Sequence, residues 1–360
     1  MTDKTEISRR GLFRGVAAIG AAGVSLPWFS RTAHAAKTLV CADPGGAYTT
    51  AFQEAFYGPF KEETGIAVTS VARRGYPAAE FKAQVETRSY NWDLSGGISA
   101  DIADFLRASD LVEEIDLSGD DIAAIPADMK NSHFLGNGLY TFILAYRTDR
   151  MKNFGTFADL WDFDGKPGRR GMRRFARDSI EVALRADGVA PGEDIYKVLS
   201  TPEGWDRAFN KLAEIKPHTH VWWDSAPQST QLLQTGEVDA CPMPNARAQT
   251  AIDNGVPAAI SWEGGFYSVE GWAIPKGSPK ADIARQFIKF CARPDRQAAY
   301  TKHLTNGPTN PGAYAFIDPA RARTLPSFPE NLARTVPVND TFWGKHKEMA
   351  DVRFNEWLLK

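Results

Sequence analysis

Cysteine is scarce in this 360-residue chain, with three residues, Cys41, Cys241 and Cys291. An odd number leaves at least one thiol unpaired. No two of them stand in a CxxC or zinc-knuckle spacing, so the sequence encodes neither a disulfide framework nor a structural zinc site; three buried free thiols are the preferred reading. Histidine is also sparse, six residues in all, and the pair His218 and His220 lacks metal-site spacing and reads as loop. No GxSxG elbow, HExxH helix, GxGxxG turn or P-loop occurs, which removes the signatures of serine hydrolases, zinc peptidases, dinucleotide enzymes and nucleotide hydrolases. No Tyr-Tyr pair occurs either, which argues against an iron-binding site. A basic excess is missing too: 42 Lys and Arg face 44 Asp and Glu. Nucleic acid and anionic membrane are therefore poor partners. No internal run is long and apolar enough to span a bilayer.

What is present begins with export. Ser8-Arg9-Arg10-Gly11-Leu12-Phe13-Arg14 precedes an uncharged Ala- and Gly-rich stretch from Gly15 to Ser30, and Ala33-His34-Ala35 has the small-x-small form of a cleavage site. Residues 1–35 thus read as a signal peptide, and the paired arginines resemble a twin-arginine address. The expectation is a soluble periplasmic protein. Cys41 is a poor lipid-anchor site because Thr38-Leu39-Val40 supplies no small residue before it. Without this segment's five basic and two acidic residues, 37 basic and 42 acidic residues remain, a net charge of about −5.

The remainder alternates in period. Thr38–Cys41 reads as a strand, Ala51–Glu62 as a helix, Ile66–Val71 as a strand, Tyr76–Thr87 as a helix, Asp93–Ser95 as a strand and Ala100–Ser109 as a helix. This order is the mark of a parallel α/β sheet. Thr141–Tyr146 reads as a buried strand and crossover. A second α/β unit follows, with helices over 177–187, 203–215, 229–235 and 246–254 and strands near 221–223 and 238–241. Strands at 258–260 and 267–274 bring the chain back to the first unit. Two α/β units joined by crossovers leave a cleft between them, where ligand sites favour strand C-terminal ends.

Six stretches together resemble the periplasmic solute-binding proteins of ABC importers, in the spermidine/putrescine-binding branch. They are Phe60–Val68, Trp92-Asp93-Leu94, Phe157-Ala158-Asp159-Leu160-Trp161, Gly236-Glu237-Val238-Asp239, Glu263-Gly264-Gly265 through Trp272-Ala273-Ile274-Pro275, and Ala284–Ile288 with Arg293-Pro294. The resemblance implies a two-lobed type II binding-protein fold with a hinge and an interdomain ligand cleft. Lobe 1 is expected over 36–145 plus about 271–325, lobe 2 over 146–270, and a C-terminal helical segment over 326–360. It implies a monomer without cofactor or metal, not an enzyme, that captures a polyamine or related small amine for a membrane permease. A zwitterionic γ-amino acid is the alternative ligand, and an enzyme on the same scaffold is a further one.

Candidate site residues follow. Asp178 and Glu181 fall on a family Asp-x-x-Glu that supplies carboxylates to ligand amines; three residues apart at a helix start, they share a face, as helix-capping acids also do. Glu270 matches another family ligand carboxylate. Ser268 and Pro244, followed by Asn245, stand where the family has aromatic walls, which favours a shorter ligand. Trp222-Trp223-Asp224-Ser225 with Gln228 offers replacements: Trp223 as a wall and Asp224 as an ammonium partner. Tyr48, after Asp43-Pro44-Gly45-Gly46, is a candidate lid, and the Gly97 loop with Ser99 a candidate anion cradle or a plain helix cap. Arg177 is the residue to bind a ligand carboxylate if it faces the cleft. Arg169, Arg170, Arg173 and Arg174 read as a solvated run.

Overall fold

Strand formation starts where β-branched and small residues alternate with polar ones. In the first strand, β1 (Thr38–Asp43), Leu39 and Cys41 are fully buried, and Val40 between them is half-buried. The computed structural model describes residues 38–73, 76–152, 154–190 and 193–360; the expected signal peptide lies outside them. The strands after β1 are β2 (Ala67–Ala72), β3 (Leu94–Ser99), β4 (Lys130–Asn131), β5 (Phe134–Arg147), β6 (Arg170–Arg173), β7 (Thr219–Trp223), β8 (Ala240–Pro244), β9 (Ala258–Ala273) and β10 (Val336–Pro337).

These strands join in one mixed sheet in the order β2-β1-β3-β9-β5-β8-β6-β7, with β10 on β9 and β4 on β5. The β1–β2, β1–β3 and β6–β7 pairs are parallel, and their connections carry helices, as parallel pairing requires. β5 and β9 are antiparallel to each other and far longer than the rest, 14 and 16 residues. From the sequence only the apolar half of β5, Thr141–Tyr146, could be placed, because Gly136 and Gly138 interrupt the apolar pattern before it. It also split β9 at Glu263-Gly264-Gly265, which the ladder instead carries as an irregularity facing Phe142–Leu144.

Two hydrophobic cores hang on this pair of strands. The first gathers Phe52, Phe56, Phe60, Trp272, Phe287 and Tyr300, with Phe52 and Trp272 ring centroids 5.0 Å apart. The second gathers Ile180, Trp205, Leu212, Trp223, Trp343 and Phe354. The change of core falls between Leu139 and Phe142 on β5 and between Phe266 and Tyr267 on β9. Register irregularities at Gly136/Gly138 and Phe142/Leu144 flank that point on β5, and bulges are where a ladder bends. The helix Asp340–Leu359 packs on the second core through Trp343 and Phe354, while Thr341 Oγ1 donates at 3.2 Å to Asp104 Oδ2, on the helix Ala100–Ala108 of the first core. Among the described residues no helix is long and apolar enough to cross a membrane, and the three cysteines are buried and unpaired.

Candidate functional site

The cleft lies between the two cores against β5 and β9, with a volume of about 630 Å³. On the side of the first core it is lined by the Pro44–Tyr48 loop, Glu270 and the 303–306 loop; on the side of the second core by Arg173, Ala226, Pro244 and Arg247. Tyr140 stands on β5 between the two walls.

Asp43 builds the first wall. This buried carboxylate ends β1 and accepts from Gly45 N (2.9 Å), Thr49 Oγ1 (2.5 Å), Tyr57 Oη (3.0 Å) and Ser70 Oγ (2.6 Å). An Asp accepting from the backbone two residues on fixes a turn, and that turn aims Tyr48 at β9. Tyr48 Oη donates to Glu270 Oε2 at 2.8 Å, and Asn306 Nδ2 donates to the same oxygen at 3.0 Å. Gly97 has φ 62°, and a side-chain carbon there would lie 3.0 Å from Pro44 Cγ, so the loop needs glycine. Its carbonyl accepts from Arg73 Nη2 at 2.5 Å. Removal from water pushes the Glu270 carboxyl up to about 7, against the Tyr48 and Asn306 hydrogen bonds and the Arg73 charge.

The opposite wall is cationic. Arg173 ends β6, and its Nη1 is fixed by Asp178 Oδ2. Its guanidinium lies 5.2 Å over the Trp223 ring and 4.8 Å over Phe175. Among the described residues its Nη2 has no hydrogen-bond partner, and its buried Nε is likewise unpartnered. Arg177 stands behind it: Nε donates to Asp178 Oδ1 at 2.9 Å and Nη2 to Tyr140 Oη at 3.4 Å. Asp178, 2% exposed, is surrounded by these two cations, which hold its carboxyl below the usual range although burial raises it.

The structure therefore brings together some expected residues and separates others. Tyr48 and Glu270 meet in the cleft, with Gly97 beneath them. Asp178 is turned away, with both oxygens taken by arginines, so it orients cations instead of receiving an ammonium. Arg177 does not line the cleft; Arg173 does, where the sequence suggested a solvated run. Arg170 in that run is buried too, with its guanidinium donating to the carbonyls of Leu160, Asp162, Lys166 and Gly168. Trp223 is fully buried and donates to Cys241 Sγ at 3.0 Å; it is the platform under Arg173 and not a wall. Asp224 is exposed and, like Gln228, is not among the residues that line the cleft; its backbone amide donates to Gln228 Oε1 at 3.0 Å.

Asn245 is buried and ties Thr141 N (2.9 Å) to Thr305 O (2.7 Å), joining β5 to the 303–306 loop. Ser99 pairs in register with Glu270, but its hydroxyl donates to Asp101 and so serves its own helix. Ser268 is buried on the Glu270 side of β9, its hydroxyl without a hydrogen-bond partner among the described residues. Tyr140, Arg173 and Asn306 were missed from the sequence. Tyr140 lies one residue before the stretch Thr141–Tyr146 that reads as strand, and Asn306 in a Pro-rich stretch with no period.

Glu181 lies in the second core, 1% exposed, where Oε1 accepts from Tyr196 Oη (2.7 Å) and Trp343 Nε1 (2.6 Å). Burial pushes its carboxyl up to about 7, above the 4.5 of the unfolded chain. A raised folded value means that ionisation costs stability as pH climbs from about 4.5 through about 7. Glu181→Gln keeps the accepting oxygen and escapes that cost. Relative to wild type it should gain about 1–3 kcal/mol at pH 8 and almost nothing at about pH 4, below the unfolded value. Melting curves at the two pH values check this; an offset independent of pH contradicts it.

The chain matches the family model of bacterial extracellular solute-binding proteins over residues 55–328, and it belongs to that family. It is 33% identical over 329 residues, 90% of this chain and 92% of the other, to a γ-aminobutyric acid (GABA)-binding protein of Pseudomonas aeruginosa. The spermidine/putrescine-binding periplasmic protein of Escherichia coli K12 is 24% identical over 272 residues, 71% of this chain and 74% of the other. Among solved structures, the GABA receptor Atu4243 superposes with a TM-score of 0.80 at 27% identity, covering 89% of this chain and 98% of that one. The mixed α/β fold is that of periplasmic binding proteins.

Proposed function

We propose that this protein captures a small zwitterion, an ω-amino acid of the 4-aminobutyrate class, and delivers it unaltered from the periplasm to an ABC permease. One observation carries the reading: the cleft has a carboxylate on one wall and a pre-aimed guanidinium on the other. Glu270 receives the ammonium, with Tyr48 and Asn306 holding the carboxylate in place. Arg173 offers its free donors to the ligand carboxylate, with Asp178 fixing its orientation. Tyr140 spans the gap, close enough to feel the charges of Arg177, Asp178 and Glu270. The two lobes, meeting where β5 and β9 change core, close on the ligand by bending there.

A polyamine needs a carboxylate at each end. Among the described cleft-lining residues Glu270 is the sole acid, which favours the amino-acid alternative. The curated GABA-binding relative and the solved GABA receptor support the same choice.

Thermal melting against 4-aminobutyrate, 5-aminovalerate, putrescine and spermidine tests the reading. An amino acid at a hundred times its dissociation constant should add about 2.7 kcal/mol, with no effect from either polyamine. Arg173→Met should weaken the amino acid by about 2–4 kcal/mol in transition-free binding titrations, since the carboxylate loses its partner. Stabilisation by the polyamines alone would overturn the reading, as would recovery of a chemically altered ligand.

A further inference from the structure

The charge of the cleft is not balanced by an ammonium and a single carboxylate. Arg247, on the helix Asn245–Asp253, lines the same cavity as Arg173. It is half-buried, and its backbone carbonyl accepts from Thr230 Oγ1 at 3.2 Å. Its guanidinium, however, has no hydrogen bond, ion pair or ring contact among the described residues. The contrast with its neighbours is sharp. Arg173 is anchored by Asp178, Arg170 by four carbonyls, and Arg177 by Asp178 and Tyr140. A half-buried guanidinium left with all its donors open beside a cavity is a ready partner for an anion.

The second argument is space. A cavity of about 630 Å³ is several times the volume of a seven-heavy-atom amino acid, which needs on the order of 100–150 Å³. Once Glu270 is matched by an ammonium, no acid among the described lining residues remains to neutralise Arg247. Ala226, Ala246 and Thr250 surround this part of the cleft with small side chains and leave it open.

We propose that Arg247 forms a second anion subsite, and that the preferred ligand is an amino acid carrying a further acidic group besides its ammonium and first carboxylate. The inference rests on the assignment of Glu270 and Arg173 above and adds a third point of recognition to it.

The test uses a pair of ligands, 4-aminobutyrate and 4,4′-iminodibutanoate, the second carrying two such carboxylate arms on a secondary ammonium. Calorimetric titration of wild type should show the dicarboxylate binding about tenfold tighter, the gain expected of one more charge-assisted contact. In Arg247→Gln the ratio of the two affinities should fall to about one, and Arg247→Lys should keep part of it. Because the ratio is taken within one variant, a general loss of stability does not imitate the effect. A ratio near one in wild type overturns the inference and leaves the amino-acid reading intact, as does a tenfold ratio that survives Arg247→Gln. If wild type binds neither ligand, the reading of Glu270 and Arg173 fails and the inference with it.

Discussion

Glu270→Gln is expected to abolish useful affinity for the amino-acid ligand. Removing one member of a desolvated, hydrogen-bonded charge pair costs about 2–5 kcal/mol, or roughly 30-fold to several thousand-fold in dissociation constant. The Gln side chain has the same size and can still accept from Tyr48 and Asn306, so the cleft keeps its shape. What it loses is the negative charge, and it turns an amide donor toward an ammonium that can only donate. The raised carboxyl adds a pH signature. With the unliganded Glu270 held at about 7, the group is mostly protonated at pH 6 and must release its proton before an ammonium can dock. Wild-type affinity should therefore fall about tenfold for each unit below pH 7 and level off above it, with about one proton released per ligand bound at pH 6. Calorimetry in buffers of different ionisation enthalpy reads both quantities. A Gln variant that binds within threefold of wild type, or a wild-type affinity flat between pH 5.5 and 8, would remove Glu270 from the ammonium site.

Asp178→Ala separates two roles that the sequence left entangled. A carboxylate that merely received a ligand amine would, on removal, weaken binding and leave the fold alone. The structure instead shows it clamped between Arg173 and Arg177 with almost no exposure. Taking it away leaves two cations facing each other in a poorly solvated place, a class of change that costs about 3–5 kcal/mol of stability. The melting temperature should drop by about 4–7 °C, and Asp178→Asn should show most of that loss although its shape is retained. Amino-acid affinity should fall as well, because Arg173 is no longer aimed. A variant that melts with wild type while losing only affinity would restore the simpler ammonium role.

The legible part of this molecule was its alternation. Most helices and the parallel strands could be placed because each buries an apolar face, as in the helix Ala100–Ala108 with Ile102 and Leu106 inward. The long strands were only half legible: Gly136, Gly138 and Gly264-Gly265 interrupt an apolar pattern that backbone pairing nevertheless continues. Glu270 and Tyr48 were within reach because a family likeness and a Gly-rich turn singled them out. Arg173 was not. In a run of four arginines nothing local tells which is buried under carbonyls, which lies over a tryptophan and which faces water. That is decided by Asp178 and Trp223, which come from a helix and a different strand. Asp224 shows the converse error: an acid beside two tryptophans looked placed for a ligand, yet strand parity and the helix that follows send it outward.

The continuity of β5 and β9 through both cores has a mechanical consequence. Among the described residues, each half completes its layer with residues from the same two ribbons. Neither half is therefore a free-standing module: a break in either ribbon at its midpoint removes packing from both sides at once. The proposed closure would flex a hydrogen-bonded ribbon, so it would be opposed by the stiffness of the sheet.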